Sequence, residues 1–155
     1  MMGANLGQRS YGMSEELDAL GSTLMGEALD ALAAGEAFGV LLAIQDAGGV
    51  VSSFEFSDDG AEACLGGAYD KVRALGKGGS TTRKGDDFAE PVRYAIAYEG
   101  AVADKSGTFR DALMLEFGER GYRSYSAYSL LSGKGEGSGF AWTDPAPAGE
   151  VEPLL

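Results

Sequence analysis

Two guanidiniums, two carboxylates, two hydroxyls and a phenol fall in one stretch of this chain at spacings that a β-sheet can bring together. They are Arg93, Glu99, Arg110, Glu116, Ser124, Ser126 and Tyr128. Arg forks suit carboxylate and phosphate groups. A carboxylate next to a guanidinium is better placed to bind, or to accept a proton, than to donate one. Together the seven describe a recognition site for a small anionic ligand or a protein partner, with no cofactor and no metal. A second reading makes the group an enzyme's, with Glu99 and Glu116 as acid and base and Arg93 and Arg110 holding an anionic substrate. The plainest reading is a solvated sheet face, where cross-strand pairs of this kind stabilise by about 0.2–1 kcal/mol.

Other chemistries are excluded or demoted. The chain has no His, which removes Ser-His-Asp and Cys-His nucleophile pairs and the common zinc sites. Asp58-Asp59 and Asp86-Asp87 are isolated acid pairs without calcium-loop spacing. The single Cys64 lies on the apolar stripe of an expected helix, where a thiol behaves as a small hydrophobe. The loop GKGGSTTRKGDD, residues 76–87, has the composition of a phosphate-binding loop. Position 71 is Lys where that pattern requires Gly, and the loop follows a helix instead of a strand. Lys77, Arg83 and Lys84 leave it only a generic capacity to cradle an anion.

The seven residues need a sheet to position them, and residues 91–132 supply one as a three-stranded meander. Val92, Tyr94, Ile96, Tyr98 and Val102 alternate with Arg93, Ala95, Ala97, Glu99 and Ala101, the period of a strand with one apolar face. Asp104-Lys105-Ser106-Gly107 is turn chemistry. A four-residue turn there sets Ala103 opposite Thr108, Ala97 opposite Met114 and Ala95 opposite Glu116. That register gathers all seven polar residues on one face, over a floor of Ala and Met. It leaves Tyr94, Ile96, Tyr98, Leu113 and Leu115 on the other face, to receive two helices. Ala is a poor strand former, so the floor implies that a helix, a second subunit or a ligand packs closely there. Glu119-Arg120-Gly121 reads as a three-residue hairpin loop, with Tyr122, Tyr125, Tyr128 and Leu130 on the third strand.

The first helix is expected over Ser14–Gly35, with Ser14 as N-cap, Gly35 as C-cap and Leu17, Leu20, Leu24, Ala28, Ala31 and Leu32 as its stripe. FGVLLAIQ, residues 38–45, is apolar on both faces and reads as a central strand. Val50–Phe56 is its hairpin partner nearer an edge. Asp59–Leu75 is the second helix, with Asp59 and Glu62 as a capping box and Ala61, Cys64, Leu65, Ala68, Val72 and Leu75 as its stripe. The predicted fold is α+β and two-layered: a mainly antiparallel five-stranded sheet with two helices, in the order α-β-β-α-β-β-β. Residues 1–13 read as a flexible leader without the apolar core of a signal peptide. Residues 14–142 form a single domain in which GKGEGSG, 133–139, is a second flexible loop. Residues 143–155 form an extended acidic tail, with Phe140 and Trp142 anchoring it.

Net charge is −12. Residues 1–66 hold eleven acidic residues against one basic, whereas residues 67–134 hold nine against eleven. Such a surface disfavours nucleic acid and favours a basic partner. No apolar run approaches the roughly 18–20 residues of a membrane span. One Cys precludes an intrachain disulfide, as befits a cytoplasmic protein. The expected function is therefore that of an acidic, cytoplasmic, non-enzymatic binding module. Homodimerisation through a sheet face or edge is expected from the Ala-rich face and the Tyr-rich last strand. A sequestering, immunity-type protein whose acidic half covers a basic target is a third reading.

Overall fold

The computed structural model describes residues 14–57, 60–77 and 90–155. Helix α1 spans Glu15–Ala33. The Ser14 hydroxyl accepts from the Leu17 amide at 3.0 Å, and Glu15, Glu16 and Asp18 occupy the first turn, where the helix dipole favours acids. The helix ends in a Schellman motif: the Gly35 amide donates to Leu32 and the Glu36 amide to Ala31, with Gly35 at φ 75°. Leu17, Leu20, Leu24, Ala28, Leu29 and Leu32 are its buried side.

Strands β1 (Val40–Asp46) and β2 (Val51–Phe56) form a hairpin. The Asp46 carboxylate closes it, accepting from the amides of Gly48 and Val50 at 2.9 Å each. Helix α2 (Ala61–Gly76) follows, with Gly60 at the N-cap and Cys64, Ala68, Val72 and Leu75 buried. Asp59, expected as the cap, lies outside the described residues, as do the leader and most of the loop at 76–87. Leu65 is only partly buried against the α2 cluster, so the apolar stripe is narrower than its spacing suggested.

The meander consists of β3 (Pro91–Ala103), β4 (Phe109–Glu119) and β5 (Ser124–Ser132). Tyr122 sits in the turn before β5 and is exposed. The segment 133–139 contains a short 3-10 turn at Gly137–Gly139 and is tied to α1 by the Gly135 amide, which donates to Leu32 at 2.9 Å. Two further strands follow, β6 (Ala141–Trp142) and β7 (Ala146–Val151). The sheet therefore has seven strands instead of the expected five, in the order β2-β1-β3-β4-β5-β6 with β7 also paired to β5. Pro145 and Pro147 rule out a helix but are tolerated at this edge. Phe140 is buried, whereas Trp142 is half exposed. The last residues, Leu154 and Leu155, pack on the α2 cluster, and Glu152 pairs with Arg73 at 2.9 Å.

The two helices cover opposite faces, which corrects the two-layer expectation. Helix α1 packs with Ala43, Ala95, Ala97, Leu113, Leu115 and Ala127. Helix α2 packs with Val40, Leu42, Ile44, Tyr94 and Ile96. β1 and β3 run side by side with Ala43 opposite Ala95 and Leu42 opposite Ile96, so these are the two sides of one sheet. Successive strand residues point to opposite faces, and β1 is apolar on both because a helix covers each. No helix among the described residues is long and apolar enough to cross a membrane.

Candidate functional site

The turn between β3 and β4 has five residues, not four. The Asp104 amide donates to Thr108 at 2.8 Å, and Gly107 takes φ 84°. Asp104 Oδ1 accepts from the Ser106 amide, the Ser106 hydroxyl and the Thr108 amide at 2.7–3.0 Å. Burial has no part in holding this carboxyl below its ordinary range; the Ser106 hydroxyl bond is the leading cause. One extra turn residue shifts the register, so that Ala103 pairs with Phe109, Ala97 with Leu115 and Arg93 with Glu119. A one-residue slip moves every side chain of a strand to the other face.

The charged constellation therefore divides. Arg93 and Glu99 lie on the α1 side. Arg93 Nε is 3.4 Å from Glu119, and its guanidinium donates to Gln45 at 3.0 Å. Glu119 also accepts from the Ser14 hydroxyl at 2.7 Å, which ties the start of α1 to the end of β4. Glu99 accepts from Lys134 at 2.7 Å, and that bond raises the Lys134 pKa. Arg110, Glu116, Ser124, Ser126 and Tyr128 lie on the α2 side, with Ser126 opposite Glu116 and Tyr128 opposite Met114. Arg110 stands at the far end of that face, 3.9 Å from Asp104. The predicted convergence of Arg93, Glu99, Arg110 and Glu116 on one surface does not occur, because the turn is one residue longer than its composition suggested.

Glu116 is buried and has partners that the sequence did not pick out. It accepts from the Tyr98 hydroxyl at 2.6 Å and from the Tyr69 hydroxyl at 2.7 Å. Burial first, and the bond to Glu116 second, push both phenols well above their ordinary range. Tyr94, beside them, is raised chiefly by burial. The cluster ties α2, β3 and β4 together. Its phenol protons are directed onto the carboxylate, so it fastens the layers more readily than it presents an acid to a substrate.

A cavity lies towards the other side of the sheet. One wall is the α1 face of Asp18, Gly21, Ser22 and Met25, spaced three and four residues apart. The floor is Ala95, Leu115, Phe117, Tyr125 and Ala127, and the far wall is the C-terminal segment at Pro145–Pro147 with Gly149 and Glu150. It encloses about 530 Å³. Small residues make the space: an added Cβ on Gly21 meets nothing within 4 Å. Glu116 and Ser126 of the predicted set also contribute to the lining, and Ser22, Tyr125, Asp18 and Glu150 are its other polar members, but the surface it exposes is mainly apolar. Glu150 lies 3.5 Å from the exposed Arg123. The Ala floor was the clearest sequence signal for this site. Over Ala95 and Ala97 it receives α1, and beyond α1 it opens into the groove.

No group of three or more His, Cys, Asp or Glu among the described residues could hold a metal ion. No protein-family model matches the chain, and no curated protein or solved structure matches it.

Proposed function

We propose that the protein is a non-enzymatic binding module whose site is the apolar groove between α1 and β7, and that it takes an apolar side chain presented by a protein partner. The carrying observation is Gly21. A glycine inside a helix costs about 1 kcal/mol relative to Ala, and here its missing side chain opens the groove wall. The volume lies within the range of ligand sites, but small-molecule sites carry several convergent polar groups. This lining exposes mainly apolar surface, which favours an apolar side chain over a polar metabolite. Asp18 and Glu150 at the rim, and the acidic first half of the chain, favour a basic flank on the partner. The enzyme reading built on Glu99, Glu116, Arg93 and Arg110 has lost the shared face it required.

The test is a fluorescence titration of dilute protein with the neutral apolar probe N-phenyl-1-naphthylamine. The wild type should bind one probe saturably. Gly21→Leu, which fills the groove while improving the helix, should bind roughly tenfold more weakly or worse without loss of thermal stability. Non-saturable binding by the wild type, or equal binding by both proteins, overturns the reading.

A further inference from the structure

We propose that the partner is a second copy of this chain, which inserts Phe109 from the tip of its β3–β4 hairpin into the groove; this rests on the groove being the binding site. β1 pairs with β3 only as far as Ala97, and β5 pairs with β4 only from Ala112. Beyond those points the strands pair with each other alone, Ala101 with Asp111, Val102 with Arg110 and Ala103 with Phe109. These pairs form a projecting ribbon about 10 Å long. Every residue from Lys105 to Asp111 is exposed. Phe109 is 72% exposed, the most of any large hydrophobic residue among those described. The turn beneath it is held by three hydrogen bonds to Asp104. Phe109 is thus presented on a fixed support, which lowers the entropy lost on docking.

Arm and groove match in two respects. A phenyl group fits within about 530 Å³ of mainly apolar space, and burying an aromatic ring removes some 150–250 Å² from water. Phe109 shares the parity of Ala103 and Ala97, which places it on the α1 side, where the groove opens. Two chains related by a two-fold axis can therefore each give one arm and receive one, a closed arrangement.

Sedimentation equilibrium at high micromolar concentration tests this with two variants and their mixture. The wild type should dimerise. Phe109→Ser, which has a groove but no arm, and Gly21→Leu, which has an arm but a filled groove, should each associate roughly tenfold more weakly or worse. Mixing the two should yield a dimer with one intact contact, tighter than either variant alone and weaker than wild type. A monomeric wild type that still binds the naphthylamine probe overturns the arm and leaves the groove reading standing. A monomer that does not bind the probe overturns both. A dimer unaffected by either variant, or one lost in both and not restored by mixing, overturns the insertion of Phe109 into the groove.

Discussion

Ala103 stands opposite Phe109 across a five-residue turn, and that pairing decides which side of the sheet every β4 side chain occupies. It sends Leu113 and Leu115 towards α1 and Glu116 towards Tyr69 and Tyr98. Residues directly opposite on antiparallel strands have Cα atoms about 4.5–5.5 Å apart, within disulfide range. The double variant Ala101→Cys/Asp111→Cys should therefore oxidise to an intrachain disulfide. Ala101→Cys/Arg110→Cys, the pair that a four-residue turn would align, should not. Mass spectrometry of the two oxidised proteins checks this, and the reverse outcome would restore the other register.

The two guanidiniums, Arg93 and Arg110, should behave differently on removal. Arg93 and Glu119 are largely buried, with side chains 13% and 10% exposed, and breaking a buried pair costs about 3–5 kcal/mol. Arg93→Ala should fall near the low end of that range. Arg110→Ala, at a half-exposed site, should stay within about 0.5 kcal/mol. Urea denaturation of both variants gives the comparison.

Leu113 is fully buried under α1, whereas Leu65 is only partly buried. Leu113→Ala should cost about 2–5 kcal/mol, and Leu65→Ala clearly less. Equal losses in chemical denaturation would mean that the α2 stripe is as broad as its spacing suggested.

The tyrosines around Glu116 give the fold an alkaline limit. Tyr69 and Tyr98 hold their protons in the folded state well above the ordinary tyrosine range. In the unfolded chain they ionise near pH 10. Their contribution is therefore complete below about pH 10 and is lost progressively as pH rises beyond it, because the unfolded state gives up its protons first. Tyrosinate absorbance during titration is the check. Removing both phenols with Tyr69→Phe/Tyr98→Phe should leave the amplitude near pH 10 unchanged, since neither ionises there in the folded protein.

Local signals carried most of the fold. Ser14 and Gly35 bounded α1, the apolar run through Leu42 and Ile44 marked a central strand, and alternation marked β3 and β4. Turn length was less legible, because Asp104 and Thr108 close the loop through geometry that composition does not encode. Which face a helix covers followed from that register, so both errors share one cause. β7 was hidden because its proline and glycine leave no alternating pattern, although Pro147 is tolerated on an edge strand whose pairing shifts register. The groove was hardest to see. It is made by small side chains at Gly21, Ala95, Ala127 and Ala146, from separate segments, and missing atoms leave no periodic pattern.

The most direct test of the account locates a bound probe. N-phenyl-1-naphthylamine is titrated into ¹³C-methyl-labelled Phe109→Ser protein, whose groove is open whether or not the arm fills it in the wild type. The account predicts that the largest methyl shifts fall on Met25, Leu115, Ala127 and Ala146, which line the groove. Shifts centred instead on Met114, Leu130 and Val102, on the opposite face of the sheet, would contradict it.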